Sequence, residues 1–410
     1  MFNKLKELFN LISNSHTHIK IHTENTYKDH KENIFTTHNE GSSKIVVTEF
    51  PLSNFESLYN NTSIDIIVSP DSQDSDTKAV MRLTCSEDYL KLINIESKND
   101  LKISYNKDTV VISHGKKQPT LEVPASFIEN IYNNSLGNMT IESGVTVSNS
   151  INNKSSGDIH VTNFIGNKLI NNGLGNISID VLTSDYVHVE SKSSGNIHVE
   201  DANINELDCR LNGLGNITII GSIIDAHIKS TSSGNINIEH IQASAKIDLS
   251  GLGDVKIKGT MFDSLSITSS SSGTVEVERL DTEELIVNTK GLGDVKISEG
   301  GAVQVKMESS SSGDIKCPHL ICVNSHITLN SLGDISFIPT KTLEAYSKGS
   351  GDIKLNGNSV LDIAQVHINS LGEIKTDNVE AIELVMFGDR DSCQIQQNAG
   401  YKSLHKTKMK

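Results

Sequence analysis

Apolar and polar residues alternate in short runs that recur along most of the chain. Within residues 253–273, Val255 and Ile257 alternate with lysines, and Leu265 and Ile267 alternate with serine and threonine. An alternation with a period of two is typical of a half-buried β-strand. Each unit of this pattern therefore predicts two short strands that are joined by turns.

Glycine marks the units at a regular spacing. Thirteen glycines share one context, in which Asp or Asn usually follows: Gly137, Gly157, Gly175, Gly195, Gly215, Gly234, Gly253, Gly273, Gly293, Gly313, Gly333, Gly351 and Gly372. The 235 residues from first to last make twelve intervals with a mean of about 20 residues, which predicts a solenoid. We expect the glycines to occupy turns with positive φ, and the Asp or Asn to stabilise those turns through hydrogen bonds to the backbone.

The residue before each repeat glycine alternates without exception between Leu and Ser. In chain order these residues are Leu136, Ser156, Leu174, Ser194, Leu214, Ser233, Leu252, Ser272, Leu292, Ser312, Leu332, Ser350 and Leu371. If like residues stack on like, the alternation favours coils that each contain two repeats, or about 40 residues. The alternatives are a coil of one repeat and a duplication without geometric meaning.

The fold prediction is therefore an all-β protein, a right-handed parallel β-helix (β-solenoid) with a repeat of about 20 residues and a β-rich N-terminal cap. The hand is the usual one for connections between parallel strands. The predicted segments are an amphipathic helix at 1–12, a flexible linker at 13–43, the N-terminal β cap at 44–130, the solenoid at 131–380, and a C-terminal cap with a basic tail at 381–410.

The N-terminal helix has an apolar face that predicts contact with a membrane surface or, alternatively, with protein. The residues chosen for membrane contact are Phe2, Leu5, Phe9 and Ile12. The lysines of the last nine residues predict a solvated tail. The alternative is that this tail weakly assists binding of the protein to anionic lipid.

Composition narrows the class of partner and the location. Only 36% of residues are apolar and 4% aromatic, which predicts a thin aliphatic core, and the net charge of −15 argues against nucleic acid. Five cysteines without a framework spacing favour a reducing compartment. The first residues do not have the pattern of a signal peptide and no apolar run reaches about 18 residues, so we expect the cytoplasm or the cytoplasmic face of a membrane, with export by another route left open.

Several motifs look like ion-binding, phosphate-binding or redox sites, but we interpret their residues as structural. The glycine period does not match calcium-binding nonapeptides, and strands rather than a helix follow each glycine, unlike a phosphate loop. The Asp residues after the glycines are assigned to turns rather than to cations. Cys317, in "CPHLIC", and Cys209 are expected to point inward as small apolar residues. No catalytic residue, metal site or cofactor is predicted.

Several stretches together resemble a known family. "FESLYNNTSIDIIVSP", "DLKISYN" and "LEVPASFIENIYNNSLGNMTI", followed by serial "SSGDI" and "GLGDV" units, resemble the head GIN domain family over about 44–375. That family is described as auto-transporter adhesins, mainly bacterial and of unknown function, with a β-helix fold. The resemblance implies an adhesin-like protein and supplies no catalytic motif.

We therefore predict a non-catalytic β-solenoid that acts as a scaffold or adhesin-like binding module for a protein or cell-surface partner. A self-assembling scaffold held at a membrane by residues 1–12 is one alternative. A carbohydrate-active enzyme, which needs clustered carboxylates and aromatic platforms, is another. The candidate interaction face is the serine-rich corner at 269–272 and 309–312, or the strand faces with lysines, unless both are plain solvated surface. Its residues are Ser272, Ser312, Lys256, Lys296, Lys316 and Lys354.

Overall fold

The computed structural model describes residues 34–36, 44–71, 79–106, 109–111 and 118–398. Within these residues the chain is almost entirely β-strand. In this part of the chain no helix is both long enough and apolar enough to span a bilayer. The predicted N-terminal helix with Phe2, Leu5, Phe9 and Ile12, and the predicted basic tail, lie outside the described residues.

The described residues divide into two compact units: those up to Val147 together with Lys154–Val161, and Ser148–Asn153 together with those from Thr162 onward. The first unit contains helix α1 (Glu87–Leu90) and strands β1 (Ile34–Thr36), β2 (Ile45–Pro51), β3 (Ser57–Asn60), β4 (Asp65–Ser69), β5 (Val80–Ser86), β6 (Ile93–Ser97), β7 (Asp100–Tyr105), β8 (Thr109–Val111), β9 (Thr120–Pro124) and β10 (Phe127–Asn133). Strands β11 (Met139–Asn153) and β12 (Ile159–Phe164) have residues in both units.

Strand pairing in the first unit is mixed. Antiparallel pairs join β2 to β5, β5 to β9 and β6 to β7, whereas β3 pairs in parallel with both β7 and β10. This irregular region is the β-rich segment that the sequence places before the solenoid. Strand β1, which lies within the segment predicted as a flexible linker, pairs in parallel with β8.

A coil without glycine precedes the first repeat glycine. Tyr59 pairs with Tyr132, and their rings stack with centroids 4.4 Å apart. Asn60 Nδ2 donates to the carbonyl oxygen of Ile64 at 2.9 Å, and Asn133 Nδ2 donates across the next turn in the same way, at 2.8 Å. Coil geometry therefore begins at 57–69, inside the segment predicted as cap.

The second unit is a regular stack of parallel coils. Its strands are β13 (Lys168–Asn171), β14 (Ile177–Ser191), β15 (Ile197–Leu211), β16 (Ile217–Ser230), β17 (Ile236–Leu249), β18 (Val255–Ser269), β19 (Val275–Thr289), β20 (Val295–Ser309), β21 (Ile315–Leu329), β22 (Ile335–Ser347), β23 (Ile353–Ile368), β24 (Ile374–Gly388) and β25 (Gln396–Gln397). Successive strands from β13 to β25 pair in parallel. The predicted all-β parallel solenoid, with a short repeat marked by glycine, is therefore confirmed.

Each coil contains one repeat, so the expected coil of two repeats is wrong. Ile177 pairs with Ile197, and Ile197 pairs with Ile217, so each step along the stack advances the chain by a single repeat. The two short strands predicted in each unit are the two ends of one bent strand that surrounds the core. Because that core is thin and aliphatic, one repeat is enough to enclose it.

Inward side chains form columns along the stack. Val255, Val275 and Val295 follow one another in register, and none of the three is exposed to solvent. Burying a side chain of this size stabilises the fold by roughly 1.5–3 kcal/mol. The outward residues between them are therefore held in equally regular columns on the surface.

Candidate interaction surface

The turn corner is the set of residues from three before to one after each repeat glycine. Here the backbones of neighbouring coils come very close, since a Cβ added to Gly253 would lie 1.9 Å from the carbonyl oxygen of Gly234. The positive φ expected for the repeat glycines is wrong. Within the described residues, positive φ occurs at other glycines: Gly144, Gly221, Gly300, Gly357 and Gly388. Glycine is required at the repeat position because no side chain fits between the coils.

Two kinds of turn alternate through the middle of the second unit. The carbonyl oxygen of Ser232 accepts hydrogen bonds from the amides of Leu252 and Gly253 in the next coil, at 2.8 and 2.9 Å. In the following coil the Oγ of Ser271 donates to the carbonyl oxygen of Gly273 at 3.1 Å and closes its own turn. The double acceptance by a serine carbonyl also occurs two coils earlier, at Ser193, whereas Ser311 Oγ, two coils after Ser271, has no hydrogen-bond partner.

This bonding pattern does not fix the Leu and Ser alternation. From 173 to 312, the residue two positions before the repeat glycine is Gly where Leu follows it and Ser where Ser follows it. Near the C-terminal end of the stack this order is reversed, since Ser331 stands before Leu332 and Gly349 stands before Ser350. The residue next to the repeat glycine keeps its alternation all the same. The hydrogen bonding of the turn therefore does not account for the alternation.

The leucine–serine column is the row of second-unit residues that directly precede the repeat glycines. Its leucines are 67–69% exposed, except for the last, which is 89% exposed: Leu174, Leu214, Leu252, Leu292, Leu332 and Leu371. Exposed serines separate them: Ser194, Ser233, Ser272, Ser312 and Ser350. Because coils lie about 4.8 Å apart, the leucines recur about every 9.6 Å.

Two shallow grooves run along the turn corner. One, of about 480 Å³, is lined by residues that include Leu252, Ser272 and Leu292. The other, of about 700 Å³, includes Ser312 and Leu332. The two serines predicted as contact residues thus lie at grooves with leucine walls. The inner ends of both serine runs, Ser269 and Ser309, are buried.

The residue after each repeat glycine forms a ladder of hydrogen bonds between coils. The amide of Asn235 donates to Oδ1 of Asn216 at 2.9 Å, and the amide of Asp334 donates to Oδ1 of Asp314 at 2.8 Å. The predicted bonding of these side chains to the backbone is confirmed, with the next coil as the partner. Within the second unit the ladder is neutral from Asn176 to Asn235 and mostly acidic further on.

The lysines on the strand faces are paired with carboxylates. Lys316 Nζ lies 2.8 Å from Asp314 and 3.0 Å from Asp294. Partial burial raises the pKa of Asp294, but the amide of Asp314 and the Lys316 ammonium outweigh it and lower the pKa. Lys256 pairs with two glutamates at 3.1 and 3.3 Å, Lys354 pairs with Asp334, and Lys296 lies 3.9 Å from Asp294. These faces are therefore compensated in charge.

One polar cluster was not predicted from the sequence. His326 Nδ1 lies 2.9 Å from the carboxylate of Glu344, which also accepts from the Tyr346 hydroxyl. Those contacts lower the pKa of Glu344. The rings of Tyr346, His367 and Phe387 stack with successive centroids 4.6 and 4.4 Å apart. These aromatic residues occupy equivalent positions in successive repeats, and that recurrence in the sequence would have predicted the stack of rings.

The cysteines behave as core residues. Cys317 and Cys209 are fully buried, as expected, and so is Cys322. Burial raises the pKa of Cys317 to about 12, so its thiol stays protonated at neutral pH. Across the described parts of the chain, no group of three or more His, Cys, Asp or Glu side chains is placed to hold a metal ion.

Some solved structures are similar to this chain. A "putative adhesin" from Bacteroides fragilis NCTC 9343 has 20% identity and a TM-score of 0.36, and the match covers 62% of this chain and 98% of that chain. A "putative adhesin" from Parabacteroides merdae ATCC 43184 has 15% identity and a TM-score of 0.40, and the match covers 65% of this chain and 99% of that chain. A "Putative lipid binding protein" from Parabacteroides distasonis ATCC 8503 has 17% identity and a TM-score of 0.34, and the match covers 64% of this chain and 99% of that chain.

A comparison with curated proteins gives no match. The family model described as "Putative auto-transporter adhesin, head GIN domain" matches residues 54–260 and 245–359, which together exceed half of the chain. The chain belongs to this head GIN domain family.

Proposed function

We propose that this protein is a non-catalytic, adhesin-like binding module that contacts its partner through the leucine–serine column. The observation that carries the proposal is the row of six leucines, each at least two-thirds exposed and separated by small polar residues. Folding alone does not require these leucines, because a polar side chain would fit the same exposed position.

The neighbouring surfaces support the choice of this column. The lysines and carboxylates beside the turns are joined in ion pairs, such as Lys316 with Asp294 and Asp314. Contiguous exposed apolar surface, by contrast, commonly marks a site of interaction. The column therefore offers free apolar area where the adjacent faces offer compensated charge.

The same residues give little support to the carbohydrate-active enzyme. Acid–base hydrolysis needs two carboxyl groups that are free to exchange protons with the substrate. Along the turn corner, the amide of Asp314 and Lys316 both occupy the carboxylate of Asp294. The stacked rings of Tyr346 and His367 cover each other's faces, which a sugar ring would need for stacking.

The test is binding of labelled protein to whole cells of the organism that produces it. We expect Leu252→Ser with Leu292→Ser to weaken binding by roughly tenfold or more, as for the loss of central apolar contacts. Ile321→Ser is the matched control, because Ile321 is an exposed apolar residue of a strand face, at 49%. Equal binding by the wild type and the double leucine variant would contradict the proposal.

A further inference from the structure

We propose that the partner of the leucine–serine column is a second copy of this chain, with the two columns antiparallel and facing each other. This inference rests on the proposed function, since it names the occupant of the same surface. In the register that we infer, Leu252 of each copy packs against Ser272 of the other copy. The two copies are then related by a two-fold axis.

The spacing of the column makes it complementary to itself. Leucines recur about every 9.6 Å, which leaves a gap of roughly 5 Å above each serine, close to the width of one leucine side chain. A copy displaced by one coil places its leucines in these gaps. Antiparallel copies can do this in a pair with two-fold symmetry, in which both columns make identical contacts, whereas parallel copies displaced by one coil would make unequal contacts.

Two antiparallel registers set leucine against serine over ten paired coils, and the ladder residues favour one of them. With Leu252 against Ser272, the ladder residues Asp294, Asp314 and Asp334 of one copy face Asn235, Asn216 and Asn196 of the other. Asp352 faces Asn176, and Asp254 faces Thr274. The acidic half of each ladder therefore meets the neutral half of its partner. Displacement by two coils in the direction that brings Leu371 into contact would place Asp314 opposite Asp254.

The contact area is sufficient for a dimer. Ten paired coils at about 4.8 Å give a strip of about 48 Å, and the turn corner together with the side chains that flank it on both sides is roughly 15 Å wide. Each copy would thus bury roughly 700 Å², close to the value of about 800 Å² per partner for specific interfaces. A lipid surface fits less well, because an acidic residue lies two positions after Leu252, Leu292, Leu332 and Leu371 and would approach the head groups.

The first experiment is sedimentation equilibrium of the full chain with a pair of substitutions that exchange large and small residues. Ser272→Leu places leucine against Leu252 of the other copy and should weaken the dimer by roughly tenfold or more. Combining it with Leu252→Ser restores the match at the centre and should return the dissociation constant to within roughly threefold of the wild type. Ile321→Ser again serves as the control for a general loss of apolar surface.

The second experiment fixes the direction of the two copies. Leu332→Cys protein is mixed with Ser194→Cys protein and treated with a short bismaleimide, and both carry Cys393→Ser because Cys393 is partly exposed. In the inferred register these positions face each other, so a cross-linked dimer is expected from the mixture. Leu332→Cys protein alone should give none, since its thiols would lie about seven coils, or about 34 Å, apart.

Several results would overturn the inference. They are a monomeric wild type, a Ser272→Leu variant that associates more tightly, cross-linking that favours identical positions, and flotation of the wild-type monomer with phosphatidylcholine–phosphatidylglycerol vesicles. If leucine-dependent cell binding persists while the protein is monomeric, the proposed function stands and the second copy is excluded as its partner.

Discussion

The first coil, at 57–69, and the glycine-containing coils share their turn bonding but differ at one residue. Asn60 bridges to the carbonyl oxygen of Ile64, as Asn171 bridges to Gly175, at 2.9 Å in both turns. Asp65 accepts from the amide of Asn138 at 2.8 Å, the distance at which Asn196 accepts from Asn216. The first coil nevertheless has isoleucine where the others have glycine.

Neighbouring structure explains why isoleucine is tolerated there. Side chains from the irregular region cover the first turn, since Tyr105 bonds to Ser63 and Gln118 donates to the carbonyl oxygen of Ser63 at 2.6 Å. Ile64 is fully buried among such groups. Later turns lie directly on the backbone of the preceding coil. The comparison shows that contact between coils, and not the local shape of the turn, demands glycine.

The largest expected effect comes from adding one methyl group at such a contact. Gly253→Ala brings Cβ to 1.9 Å from the carbonyl oxygen of Gly234, and that backbone atom cannot move without its own coil. We expect a loss of about 3 kcal/mol or more in the free energy of unfolding, measured by urea denaturation.

The matched control for that substitution is Gly301→Ala in strand β20. An added Cβ there would meet nothing closer than 3.8 Å. The change should be neutral or stabilise the protein by up to about 1 kcal/mol, because alanine restricts the unfolded chain. Similar destabilisation by both substitutions would show that the distinction between the two regions is wrong.

A smaller effect should follow from interrupting the ladder that all of these coils share. Asn216→Ala removes the oxygen that accepts from the amide of Asn235 at 2.9 Å. At this exposed position water partly replaces the bond, so the free energy of unfolding should fall by about 0.5–1.5 kcal/mol. Asn216→Asp keeps the acceptor and should remain near the wild type in the same denaturation experiment. Equal losses would mean that the amide group, and not the acceptor oxygen, matters.

Local patterns predicted the strands, whereas contacts between coils were harder to infer. The alternation around Val255 and Ile257 identified the half-buried strand because side-chain direction depends only on neighbouring residues. The coil length was wrong because an alternation of Leu and Ser fits either stacking like on like or stacking unlike residues, and the sequence does not state the register. The first coil was missed since Ile64 replaces the glycine that marked the others.

The candidate interaction surface was likewise predicted in part. Ser272 and Ser312 were recognised as an exposed small-residue corner, and both line grooves of the second unit. The predicted coil of two repeats would have placed the leucines on a different corner from the serines. His326 and Glu344 lie in neighbouring coils at a separation of 18 residues, shorter than the mean repeat of about 20. No sequence motif predicts such a contact.

The smallest effect concerns the acidic part of the ladder. The pKa values of Asp294 and Asp352 are lowered, because amides and lysines outweigh the opposing effect of burial. Carboxylates with lowered pKa values stabilise the folded state above their unfolded pKa of about 4, and that contribution is lost as the pH falls through the folded value. Asp294→Asn retains the Oδ1 acceptor but cannot titrate. Its melting temperature should therefore fall less than that of the wild type between pH 6 and pH 3, and parallel curves would show that Asp294 does not contribute to the acid sensitivity.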